Sequence, residues 1–130
     1  MNLQILQKYS KPVLRIGLSL VFLYFGYQQI TNINEWLGFV PNFALVFGLT
    51  AKNIVLMNSL LELILGILLL LGLFTRTSSL ILSIHLYGIA FSLGFNDLGV
   101  RDLGLATATL AIFLNGPDNF CLDNKFRKNN

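Results

Sequence analysis

The longest apolar run in the chain covers residues 54–74, where Leu, Ile, Val and Met predominate. A helix of about 20 residues, rising 1.5 Å per residue, crosses the roughly 30 Å hydrocarbon core of a bilayer. This run is apolar on every side, whereas a helix at the surface of a soluble protein keeps a polar face. The pattern therefore predicts a membrane-spanning helix.

Three further apolar runs predict three more spans, so the predicted fold class is all-α: a polytopic membrane protein with a four-transmembrane-helix bundle. The predicted spans are 13–31, 54–74, 79–93 and 102–116, in one transmembrane domain over residues 1–130. The last run has about 13 clearly apolar residues, which cover only about 20 Å, so its full crossing stays open. The segment 32–53 contains Trp36, Pro41 and several Phe residues with few charges, which predicts an interfacial first external loop.

Composition supports the membrane class, because 55% of residues are hydrophobic and only 12% are charged. The chain has one cysteine, Cys121, and one histidine, His85. These counts exclude an intrachain disulfide framework, a four-cysteine iron–sulfur site and a bis-histidine haem within one chain. The nine Lys and Arg residues form no basic stripe, so nucleic acid is not an expected partner.

The positions of the Lys and Arg residues predict the orientation. An even number of spans puts both termini on one side of the membrane. Lys52 and Arg101 would then lie on the opposite side. The side with the termini would carry the other seven: Lys8, Lys11, Arg15, Arg76, Lys125, Arg127 and Lys128. Cytoplasmic segments are enriched in basic residues, which predicts a plasma (inner) membrane protein with both termini in the cytoplasm.

Glu62 is the most informative polar residue, because it lies inside the most apolar span. An ionisable group there costs about 2.5–3.5 kcal/mol even on lenient scales, so it is expected to face the protein interior. Asn58 lies one helical turn before it on the same face. The candidate interior polar site consists of Glu62, His85, Tyr24, Gln28, Asn58, Arg101 and Asp102.

Two interpretations of this site stay open. Glu62 is either a structural carboxylate, neutral or paired with Arg101, or a proton- or ligand-binding group in an interior cavity. His85 either forms a hydrogen bond across helices or forms a proton relay with Glu62. A metal site is not expected, because too few metal-binding residues accompany these two.

Several short motifs, in order along the chain, resemble the DoxX-like integral membrane protein family. They are Arg15-Ile-Gly17, Phe22-Leu-Tyr-Phe-Gly26, Glu62-Leu-Ile-Leu-Gly66, Leu71-Gly-Leu-Phe-Thr-Arg76, Arg101-Asp102-Leu103, Gly116-Pro117 and Cys121-Leu-Asp123. One departure concerns the first span. The family often has Lys three residues after the glycine at Gly26, where this chain has Gln29.

The resemblance implies a four-helix membrane protein associated with redox chemistry. Related proteins are described as subunits of quinone-linked sulfur oxidation complexes or as partners of thiol-redox and antioxidant enzymes. The expected function is therefore a non-catalytic or co-catalytic subunit of a membrane-associated redox complex, either quinone- or thiol-linked. The alternative is a small proton-coupled permease or carrier with an interior Glu/His/Gln site.

The sequence shows no ligand set for an electron carrier, so a self-contained oxidoreductase is not expected; other enzymatic activity stays open. No cofactor is evident, and quinone is the candidate that the redox interpretation adds. The expected partners are the lipid bilayer, a membrane or peripheral redox enzyme, and a second copy of the chain.

Overall fold

The computed structural model describes residues 2–129, and every regular element in that range is helical. The four long helices are α1 (Leu3–Thr31), α3 (Ala51–Leu71), α4 (Thr75–Leu93) and α5 (Asp97–Asn115). Two short helices, α2 (Ile33–Trp36) and α6 (Leu122–Lys128), follow α1 and α5 respectively. The connection between α2 and α3 contains two 3₁₀ segments, Leu37–Phe39 and Asn42–Phe47.

Two of these helices, α1 and α3, are long and apolar enough to cross a membrane. The helices α4 and α5 have 19 residues each, but their composition is not apolar enough for them to be candidate spans by the same measure. Over residues 2–129 the prediction of an all-α protein is therefore confirmed, with two candidate membrane spans.

The contact between α1 and α3 depends on small residues. Ser59 Oγ donates a hydrogen bond to the Gly26 carbonyl oxygen over 2.6 Å. A Cβ atom added at Gly26 would lie 2.8 Å from Cγ of Leu63. Gly66 similarly faces the side chains of Phe22 and Leu23. These close approaches fix how α1 is rotated against α3, and this rotation decides which α1 side chains face inward.

The core lies between the four long helices. Its buried members are Leu18, Phe22, Leu69, Leu82, Leu86, Ala106 and Ile112. The helices α4 and α5 are also joined by a hydrogen bond from Ser83 Oγ to the Ala106 carbonyl oxygen over 3.0 Å. This packing leaves the α1–α3 and α4–α5 pairs in contact around a shared interior.

The helix starts differ from the predicted span starts at 79 and 102. The helix α4 begins at Thr75, because the Asp123 carboxylate accepts hydrogen bonds from the backbone N–H groups of Phe74 and Thr75, both over 2.8 Å. The helix α5 begins at Asp97, because the Asn96 side chain accepts from the Gly99 N–H over 2.9 Å. Side-chain caps of this kind satisfy N–H groups that have no partner within the helix.

The end of the molecule near the termini is closed by Arg15, which is only 2% exposed. Its Nε atom lies 2.7 Å from Oδ2 of Asp118. Its Nη1 atom donates to the carbonyl oxygens of Leu69 and Leu70, at the end of α3. The guanidinium thus satisfies carbonyl groups at a helix C-terminus while pairing with a carboxylate.

Candidate functional site

A cavity of about 510 Å³ opens at the other end of the molecule, among α1, α3, α4 and α5. The connection between α1 and α3 contributes much of its lining, through Trp36, Phe39, Pro41 and Phe43. Phe22 and Phe25 of α1 add two more aromatic rings. The loop that the sequence assigns to the membrane interface therefore also forms part of the wall of an interior cavity.

A triangle of polar side chains, Gln29, Asn58 and Glu62, forms one part of the lining. Gln29 Nε2 donates to Glu62 Oε2 over 3.0 Å. Asn58 Nδ2 donates to Gln29 Oε1 over 2.5 Å and lies 3.3 Å from Glu62 Oε1. Gln29 and Glu62 are only 3% and 4% exposed. Both carboxylate oxygens thus accept hydrogen bonds from neutral amides at the buried contact between α1 and α3.

His85 approaches this triangle from α4. Its Nε2 atom lies 3.9 Å from Glu62 Oε1, beyond hydrogen-bond distance. Among the residues that the structure describes, this buried nitrogen has no hydrogen-bond partner. A buried polar atom without a partner is rare in folded proteins, and it often marks a place where a ligand or water binds.

Arg101 and Asp102 line the cavity from α5. Arg101 donates from Nε to Asp102 Oδ1 over 2.9 Å, and its Nη2 atom lies 2.8 Å from the same oxygen. The guanidinium carbon also lies 4.7 Å from the centroid of the Phe25 ring. Arg101 is therefore engaged by Asp102 and Phe25 rather than by Glu62, the partner considered for it from the sequence.

The structure brings together five of the seven residues selected from the sequence: Asn58, Glu62, His85, Arg101 and Asp102. Tyr24 and Gln28 lie elsewhere. Tyr24 is 58% exposed on the outside of α1, and Gln28 Oε1 accepts a hydrogen bond from Asn32 over 2.6 Å. Gln29 takes the interior position instead.

The physical reason is the rotation of α1. Its buried positions are Pro12, Arg15, Leu18, Ser19, Phe22, Gly26 and Gln29, and Gln28 is about 100° away from Gln29 around the helix. The family comparison made from the sequence already contained the signal for Gln29. The position at which the DoxX-like pattern often has Lys is the one that contacts the carboxylate here.

The chemistry that this arrangement offers is acceptance of a proton, a hydrogen bond or a positive charge at Glu62. Within residues 2–129 no group of three or more His, Cys, Asp or Glu side chains is placed to hold a metal ion. Cys121 is buried near the closed end of the molecule, where burial raises the pKa of its thiol, and it does not reach the cavity.

Comparison with known proteins identifies a family. Neither the search of curated proteins nor the search of solved structures gave a significant match. The family model described as DoxX matches residues 11–94, which include Arg15, Gln29, Asn58, Glu62 and His85. The motifs at 101–103, 116–117 and 121–123 lie beyond the matched residues. Because the match covers more than half of the chain, the protein belongs to the DoxX family, and its apolar helices give it the character of a membrane protein.

Proposed function

We propose that the protein is a single-domain, four-span protein of the inner membrane, with an interfacial external loop and cytoplasmic termini. We further propose that it is a non-catalytic or co-catalytic subunit of a redox complex and holds a ligand in the cavity. One observation carries this proposal: aromatic walls and a buried carboxylate, Glu62, which accepts hydrogen bonds from two amides, meet in one cavity of about 510 Å³. Cavities that bind small molecules combine apolar linings with a few convergent polar groups, as here.

Quinone is the cofactor that the redox interpretation supplies, and the residues present fit it. The rings of Phe22, Phe25 and Trp36 suit a flat ring, and the unpartnered Nε2 of His85 suits a carbonyl or hydroxyl group at its edge. A bound quinone would supply two-electron redox chemistry. The side chains of this protein would bind and orient the ring, and Glu62 or His85 would hold a proton beside it.

Purification in mild detergent followed by mass spectrometry tests the proposal. We expect a quinone- or thiol-linked redox enzyme to co-purify with the wild-type chain. The isolated chain should have no oxidoreductase activity and no stoichiometric visible spectrum, because no haem, flavin or iron–sulfur ligand set is evident. Recovery of only copies of the chain would contradict the subunit role, and it would show self-association instead.

A second function, a proton-coupled permease, is favoured by the approach of His85 Nε2 to Glu62 Oε1 at 3.9 Å. Ionisable residues that meet inside a membrane protein often form proton pathways. Proton uptake into liposomes under an imposed membrane potential tests this function with a pH-sensitive dye. Glu62→Gln should abolish the uptake, and Glu35→Gln, an exposed carboxylate outside the cavity, should leave it unchanged.

A further inference from the structure

The charges around the cavity do not balance locally. Four titratable side chains of the described residues line it: Glu62, His85, Arg101 and Asp102. Arg101 pairs with Asp102 over 2.8 Å. Glu62 receives hydrogen bonds only from the neutral amides of Gln29 and Asn58 among the described residues. With His85 neutral and Glu62 ionised, the lining carries one negative charge that no cation among the described lining residues offsets.

A buried ionised carboxylate is unfavourable unless a positive group pairs with it. A ligand that brings its own positive charge would therefore gain more from this cavity than a neutral ligand of the same shape. The walls also suit a cation. The Arg101 guanidinium lies 4.7 Å from the Phe25 ring centroid, within the roughly 6 Å at which aromatic rings attract cations. The neighbouring rings of Trp36 and Phe39 offer further faces of the same kind.

The cavity selects the class of cation by its shape and lining. Hard metal ions need about six oxygen ligands, and here the two oxygens of Glu62 are already hydrogen-bonded to amides. Its volume of about 510 Å³ and its mostly aromatic and aliphatic walls suit a larger, apolar ligand. An organic cation with hydrocarbon or aromatic substituents satisfies both requirements.

We propose that the cavity binds monovalent organic cations, with Glu62 as their counter-ion and Phe25, Trp36 and Phe39 as their aromatic walls. This inference rests on the cavity being a ligand site, which both proposed functions share. Protons and organic cations then compete for the same carboxylate. The groups that face Glu62 are Gln29 of α1, Asn58 of α3, His85 of α4, and the Arg101–Asp102 pair of α5. Protonation of Glu62 removes the negative charge, and protonation of His85 offsets it with a positive charge, so acid should weaken binding through either group.

Trp36 is the only tryptophan of the chain and lines the cavity, so its fluorescence reports on binding. The full chain in detergent is titrated with tetraphenylphosphonium, with tetraphenylborate, which has the same shape and the opposite charge, and with a short-chain ubiquinone. We expect the phosphonium to bind at least about tenfold more tightly than the borate, because close opposite charges attract and like charges repel. Its affinity should fall as the pH is lowered. Equal affinities for the two ions would overturn the proposal without any variant.

Variants test whether Glu62 carries the negative charge that attracts the cation. Glu62→Gln should weaken phosphonium binding at least about tenfold. Glu35→Gln, the same chemical change outside the cavity, should leave it unchanged. Gln29→Lys keeps the carboxylate but places an ammonium group beside it, and should also remove binding. Unchanged affinity in both Glu62→Gln and Gln29→Lys would refute Glu62 as the counter-ion. A fluorescence change with ubiquinone alone would refute the cation assignment but would agree with the proposed ligand site. No fluorescence change with any of the three probes would refute both the cation assignment and the ligand site.

Discussion

Gln29 Nε2 donates a hydrogen bond to Glu62 Oε2 over 3.0 Å, across the buried contact between α1 and α3. Asn58 closes the triangle by donating to Gln29 and approaching the other carboxylate oxygen. The orientation of Glu62 is therefore set by residues of α1 and α3, whereas His85 and Arg101 belong to α4 and α5 and donate no hydrogen bond to it among the described contacts. The residues that position the carboxylate, Gln29 and Asn58, are thus different from His85, the residue with which it would exchange a proton.

Replacing Gln29 by Leu should destabilise the protein. The change removes a donor from Glu62 and an acceptor from Asn58 at a site that is 3% exposed. Leaving buried polar groups without partners costs about 1–3 kcal/mol. The free energy of unfolding is measured by titration with SDS. Gln28→Leu is the matched control, because the Gln28 side chain accepts a hydrogen bond from exposed Asn32 near the end of α1, and this change should cost less. An equal loss in the two variants would contradict the importance of the triangle.

Glu62→Gln should fold, with a modest loss of stability. Both oxygens of Glu62 face amide donors, and one of those oxygens becomes an NH₂ group in glutamine. Flipping the neighbouring amides cannot satisfy all three contacts, so about one hydrogen bond is lost, worth about 0.5–1.5 kcal/mol. Expression level and SDS unfolding measure this. Complete loss of folded protein would show that the charge itself holds the fold together.

Asp118→Asn should weaken the closed end of the molecule. Removing one partner of a buried ion pair costs about 3–5 kcal/mol, because the other charge stays buried. Arg15 keeps its bonds to the carbonyl oxygens of Leu69 and Leu70, so we expect the lower end of that range. SDS unfolding at pH 7 measures the loss, and Asp97→Asn, at an exposed carboxylate, should cost much less. A loss as small as that of Asp97→Asn would contradict a stabilising role for the pair.

The same pair should make stability sensitive to acid. Burial alone would raise the pKa of Asp118, but the hydrogen bond from Arg15, the Phe120 N–H and the charge of Arg15 together hold that pKa below its ordinary value. A depressed folded-state pKa gives stabilisation that is present above the unfolded pKa of about 4 and is lost as the pH falls through the folded value. Unfolding at pH 7 and at pH 3 should therefore differ more in the wild type than in Asp118→Asn. The Asp97→Asn control should keep the wild-type difference.

Asp123→Ala should loosen the start of α4. The Asp123 carboxylate accepts from the N–H groups of Phe74 and Thr75, and loss of an N-terminal cap typically costs about 0.5–2 kcal/mol. Hydrogen exchange should increase first at Phe74 and Thr75, and exchange at Gly99, which Asn96 caps, should stay unchanged. Faster exchange at both places would indicate global destabilisation instead.

Reporter fusions test the proposed topology. Alkaline phosphatase should be active when it is fused within the 37–49 connection and inactive at the carboxyl terminus, because seven of the nine basic residues lie on the side of the termini in a four-span arrangement. A cytoplasmic reporter such as green fluorescent protein should give the reverse pattern. Active phosphatase at the carboxyl terminus would contradict the proposed combination of four spans and cytoplasmic termini.

The sequence alone predicts the features that depend on composition and on the spacing of residues within one helix. The apolar run around Glu62 predicts a helix and predicts that its carboxylate faces inward, because exposure of an acid to lipid is unfavourable wherever the neighbouring helices lie. The four-residue spacing likewise puts Asn58 beside Glu62. His85, Arg101 and Asp102 are candidates from the sequence because they are polar residues in or beside other apolar runs, and the structure brings them to the same cavity.

The remaining features depend on packing between helices and are visible only in the folded molecule. The close contact of Gly26 with Ser59 and Leu63 sets the rotation of α1, and this rotation places Gln29 rather than Gln28 against the carboxylate. Asp123 starts α4 from 48 residues away in sequence, which no local pattern at Thr75 can show. Arg15 lies at the start of an apolar run, like a basic residue that flanks a membrane span, yet it is buried, because Asp118 and the carbonyl oxygens of Leu69 and Leu70 meet at its position. In each case the hydrogen-bond or ion-pair partner comes from a residue far away in sequence. Only the packing of the folded chain determines which residue that is.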